Sequence, residues 1–156
     1  MVETVTETIT EDNPAPVEET VVVNGDREAL LALLAHHRQV MQRSGIIVDR
    51  PGVPEEVTAF ARERLQQTGI VIGELNEYAD GPRAGAALRQ QEREALLREG
   101  ADAYVEQMRT HITQILPFAE HAAASDDLSV ADLGQKNMEL LSAQLEELER
   151  LAGDAG

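Results

Sequence analysis

Cysteine is absent from the 156 residues, which excludes disulfides, thiolate catalysis and every zinc site that depends on a cysteine ligand. Tryptophan is absent too, and two Phe and two Tyr are the whole aromatic complement, so the core must be aliphatic. Leu, Ala, Glu, Gln and Arg dominate instead, a composition that favours helix over sheet. Basic residues are few: 13 Lys and Arg stand against 29 Asp and Glu, a net charge of −16 that repels a phosphate backbone. Nucleic acid and anionic membrane are therefore excluded as partners, while most of the acidity, spread along the whole chain, serves solubility. No uninterrupted apolar run reaches the length of a membrane span, so no membrane insertion is expected, and the N-terminus lacks the basic-then-apolar order of a signal peptide. The expectation is a soluble chain, cytoplasmic as written, or periplasmic or extracellular if an export signal was replaced by Met1.

What the chain does contain is a repeat. Val57 to Ala79 lies over Val130 to Ala152 at a constant offset, with Val57/Val130, Leu65/Met138, Glu74/Glu147, Leu75/Leu148 and Ala79/Ala152 in register. Upstream of each copy runs another helical pattern that carries histidine, Leu30 to Met41 and Tyr104 to Ile115. A helix hairpin that occurs twice, over about 28–80 and 101–152, predicts an all-α, up-down four-helix bundle spanning 26–153, with the first and third long helices parallel across a diagonal.

Punctuation along the chain sets the expected elements. Residues 1–25 open with six acids and no base before Asn24, with many Thr and two prolines, and are expected to form a disordered acidic arm. Asn24-Gly25-Asp26 offers a turn and a cap for a first helix running to about Ser44-Gly45, along a stripe of Leu30, Leu34, His37 and Met41. Ile46 to Pro54 reads as a loop, and Asp80-Gly81-Pro82 stops the second helix. Gly69 and Gly73 within that helix mark either a tight crossing or a local weakness. From Arg83 to Ala124 the pattern stays helical with Gly100 as a break, along a stripe of Leu97, Tyr104, Met108, His111, Ile115, Phe118 and Ala122. The last helix opens at Ser129-Val130-Ala131-Asp132, close to a capping box, and carries the clearest amphipathic stripe.

Two histidines, His37 and His111, fall where a helix normally places leucine, and a buried imidazole left without a partner costs about 1–3 kcal/mol. No histidine has a carboxylate one helical turn away, so the Glu-x-x-His pattern of di-iron bundles is absent. Each stripe histidine does have a thioether within a turn, Met41 after His37 and Met108 before His111. Imidazole with thioether is a soft donor set suited to Cu(I), which makes His37, Met41, Met108 and His111 a candidate metal site, with His36 flanking it. The same residues also suit a plain core, where methionine fills space and histidine bonds a carbonyl, a glutamine or a water. His121 reads as a surface residue.

At these residues the chain resembles the bacterial domain-of-unknown-function 305 family, ferritin-like bundles whose hallmark is a helix reading Met-x-x-His-His. Met108-Arg109-Thr110-His111 matches that hallmark with isoleucine in place of the second histidine, and Leu33-Leu34-Ala35-His36-His37 matches it with leucine in place of methionine. The resemblance covers about 28–152 and pairs His36 with His111, whereas the apolar stripes pair His37 with His111. It implies a ferritin-like bundle of an exported group, some of whose members are associated with copper. No ordered nucleophile set and no Gly-rich phosphate loop is present, so no enzyme is expected. The reading that emerges is a non-enzymatic helical bundle holding copper or another soft ion, or alternatively a metal-free structural module meeting a protein partner or a second copy of itself.

Overall fold

A computed structural model describes residues 25–78 and 87–155, and both the arm at 1–24 and the stop signal at Asp80-Gly81-Pro82 lie outside the described residues. The described chain is all-α, with five helices and no strand: α1 Asp26–Val48, α2 Glu55–Asn76, α3 Gln90–Glu99, α4 Ala101–Ala123 and α5 Leu128–Ala155. No helix among the described residues is long and apolar enough to cross a membrane.

The repeat survives in three dimensions as a repeat of burial. Val57, Phe60, Ala61, Arg64, Thr68 and Leu75 form the covered face of α2, and their counterparts Val130, Leu133, Gly134, Asn137, Leu141 and Leu148 form that of α5. Helical spacing carries both faces, and it also sets two polar residues, Arg64 and Asn137, at equivalent buried positions.

Helix ends depart from the expected ones for local reasons. α1 continues past Ser44 to Val48 because Ile47 is fully buried, and that packing outweighs the helix penalty of Gly45. Its N-terminus has no side-chain cap, Gly25 standing in the cap position. α5 starts earlier than the Ser129 box because Asp127 is its cap: the carboxylate accepts from the amides of Ser129 at 2.9 Å and Val130 at 3.3 Å. The break at Gly100 is real, and its φ of +68° is a conformation that favours glycine. Arg50 lies over Gly100 and donates to the carbonyls of Leu97 and Arg98 at 3.0 and 3.1 Å, satisfying the end of α3.

Contacts at the ends fix helix direction. Asp26 at the start of α1 accepts from the hydroxyl of Ser125 at 2.6 Å, just beyond the end of α4. Near the other end, Ser44 and Tyr104 share a 2.8 Å hydrogen bond. α1 and α4 are thus antiparallel neighbours, which corrects the expected parallel diagonal. α2 and α5 also oppose one another, with Glu56 near Arg150 and Glu74 near Lys136, both at 3.8 Å. With α3 intervening between them in the chain, α2 and α4 point the same way.

Candidate functional site

Along α1 the covered positions His36, His37, Val40, Arg43, Ser44 and Ile47 keep helical spacing, and four of the six are polar. Such groups must be matched inside the fold, and the matching partners come from α3, α4 and α5.

His37 is matched by the repeat. Its Nε2 lies 2.7 Å from Oδ1 of Asn137, while Asn137 donates its own amide to the carbonyl of Leu133 at 2.9 Å. The amide oxygen is therefore the acceptor and His37 carries its proton on Nε2. Burial pushes the imidazole down to about 4, against the Asn137 bond, which favours the charged form.

Arg43 is fully buried, and its guanidinium is held on two sides. Nε donates to Oε1 of Gln107 at 2.9 Å, and Nη2 donates to Oε1 of Glu92 at 3.0 Å. The other oxygen of Glu92 accepts from Nε2 of His111 at 2.6 Å, and the amide of Gln107 donates to the Glu92 carbonyl at 3.0 Å. Burial alone would raise the Glu92 carboxyl, but the His111 hydrogen bond and the Arg43 charge outweigh it and hold it at about 2. Glu92 is consequently ionised at neutral pH: Oε1 accepts from Arg43, and Oε2 accepts from His111 and, at 3.5 Å, from Arg89. Burial lowers the Arg43 guanidinium from its usual range, with Glu92 opposing that shift.

Two polar atoms at this junction have no partner: Nε2 of His36 and Nη1 of Arg43. The His36 ring meets that of His37 edge-on at 5.2 Å. Burial, then the nearby His37, Arg43 and His111, holds it well below the ordinary histidine range, so it is neutral. Tyr104, bonded to Ser44, is pushed up to about 12 by burial and remains a phenol.

Of the five proposed metal ligands, His36 and His37 lie side by side in the interior, and Met108 is fully buried on α4. Met41 is half-buried, and His111 is about one-fifth exposed and committed to Glu92. His111 lies beside the covered stripe of α4, which passes instead through Met108, Ile112, Ala119 and Ala122. This burial register aligns Leu33 with Met108 and His36 with His111. Among the described residues, no three His, Asp or Glu side chains are grouped so as to hold a metal ion. His121 is partly exposed, 3.7 Å from Asp26.

Sequence reasoning missed Arg43, Glu92, Gln107 and Asn137. Arg43 carried a signal, seven residues after His36 on the same face of α1. Glu92 carried none, since it reaches His111 from a different helix. Compared with protein-family models, curated proteins and solved structures, the chain gives no match.

Acid should weaken the fold in two stages. His37 binds fewer protons folded than unfolded between its folded value of about 4 and its model-peptide value of 6.5, so stability is full above 6.5 and falls as pH drops through that window. A shift of this size corresponds to about 3 kcal/mol. Glu92 adds a second loss as pH falls from 4.5 toward 2. Urea melts at pH 7.5, 5.5 and 4 should show a falling midpoint, and in His37→Gln the loss between the first two should shrink.

Proposed function

We propose that the protein is a non-enzymatic helical module in which four long helices form a bundle of ferritin-like connectivity, with α3 in the crossover. Its interior polar groups serve the fold, and its outer surface meets a protein partner or a second copy of the chain. The antiparallel pairings of α1 with α4 and of α2 with α5 support that connectivity, because a bundle with one long crossover pairs its helices this way.

The observation that carries the metal-free reading is the engagement of both stripe imidazoles. Asn137 holds Nε2 of His37 and Glu92 holds Nε2 of His111, so a metal using those nitrogens would have to break two short hydrogen bonds beside a buried guanidinium. Protein purified without chelators or a histidine tag should contain less than one equivalent of any transition metal. Light scattering should report either a dimer or a complex with the partner, and deletion of residues 1–23 should weaken that association.

One observation favours the soft-ion reading: the buried Nε2 of His36 has no partner, and imidazole with thioether suits Cu(I). Anaerobic Cu(I) titration against a colorimetric chelator separates the two readings. Binding of one equivalent that disappears in His36→Ala with Met108→Leu would establish the ion, and failure of the protein to compete with the chelator would remove it.

A further inference from the structure

α3 is a ten-residue helix, shorter than helices that persist alone, and only Leu96 among its side chains is fully buried. What fastens its first turns is a carboxylate in a cationic setting. Glu92 enters between α1 and α4, where Arg43 donates to one oxygen and His111 to the other, while Gln107 fixes the guanidinium from the side. Arg43, His111 and the Gln107 that accepts from Arg43 belong to α1 and α4, so most of the cradle lies outside the helix it holds, with Arg89 at the cap of α3 adding a donor at 3.5 Å.

The cradle also holds more binding capacity than Glu92 uses. Arg43 is fully buried and its Nη1 has no partner, and His36, 5 % exposed, keeps an unpartnered Nε2 within electrostatic reach of both Arg43 and His111. One guanidinium N–H of the residue that binds the carboxylate thus remains unpartnered, as does a ring nitrogen of His36 in the same interior.

We propose that Arg43, Gln107 and His111 form a carboxylate-binding site that Glu92 occupies in cis, and that a small free monocarboxylate takes the same place when Glu92 is withdrawn. The ligand is small because the site is enclosed: the Glu92 side chain is 13 % exposed and that of His111 21 % exposed, which admits a carboxylate but no macromolecular surface. Binding is a non-covalent exchange of one carboxylate for another on the same donors, and it frees the first turns of α3. The apparent affinity of the intact chain is reduced by the small fraction of molecules in which Glu92 is out.

The test uses the full chain and acetate as the probe. In Glu92→Gln, which keeps the side-chain shape and one acceptor oxygen for Arg43, acetate should shift the His111 ring resonances saturably, with half-saturation at roughly tenfold lower concentration than in the unaltered protein. In Glu92→Ala the same titration should raise the melting temperature beyond the rise given by equal chloride. Both responses should vanish when Arg43→Met is added. The proposal is overturned if acetate and chloride act alike on Glu92→Ala, or if the Glu92→Gln resonances move equally with and without Arg43.

Discussion

Gly134→Ala should destabilise the protein by about 3 kcal/mol, although alanine is the better helix former. A β-carbon at this position would stand 2.1 Å from the backbone nitrogen of Ala123, 2.5 Å from the carbonyl carbon of Ala122 and 2.7 Å from the α-carbon of Ala123. All three obstacles are main chain, so no rotamer change relieves them and α4 and α5 must move apart by more than an ångström. That separation strips contacts from Ala119, Ala122, Val130 and Leu133, which are buried around the crossing. Gly73→Ala is the matched control, because its added carbon meets nothing within 4 Å. There the intrinsic preference acts alone and should stabilise by up to about 1 kcal/mol. Urea midpoints of the two variants should therefore move in opposite directions. Equal and upward shifts would mean that the helices do not cross at Gly134.

The glycines also show what the sequence could and could not convey. Gly69 and Gly73 carry the spacing that suggests a close crossing, yet both face open space, and the crossing belongs to Gly134, which has no such partner in sequence. Close approach depends on what lies across the gap, and one helix alone does not specify its neighbour. Periodicity, by contrast, is a property of a single helix, so Val57 with Val130 and Leu75 with Leu148 were legible as equivalent covered positions, while the buried polar pair Arg64 and Asn137 on the same faces was not. The direction of α4 relative to α1 was not legible, because it depends on how the chain travels through α3. The candidate site divides along the same line. His37 could be placed in the core from α1 alone, whereas His36 read as flanking the stripe and is buried all the same. The partners of His37 and His111 come from other helices: Asn137 lies 100 residues from His37, and Glu92 lies 19 residues from His111. The absence of a carboxylate within a turn of any histidine was correctly read, but it said nothing about a carboxylate delivered by a neighbouring helix.

Glu92→Ala should cost about 3–5 kcal/mol, the largest loss expected from any single side chain on α3. The cost does not measure the attraction between Glu92 and Arg43. It arises because Arg43 stays fully buried, with Nη1 already unpartnered and Nη2 now stripped of its acceptor. His111 loses its acceptor at the same time, and α3 keeps Leu96 and the Arg50 cap as its anchors. Amide hydrogen exchange should consequently accelerate in α3 more than in α2 or α5. Removing both charges should behave differently. In Arg43→Met with Glu92→Leu, the buried cation and its desolvation penalty disappear together, apolar side chains of similar length fill the junction, and stability should return to within about 1–2 kcal/mol of the original. If the double variant is as unstable as Glu92→Ala, the ion pair contributes net stability and the enclosed setting of Arg43 is less hostile to charge than its burial indicates. If Glu92→Ala alone is nearly neutral, water reaches the guanidinium once the carboxylate is gone, and Glu92 does not latch α3.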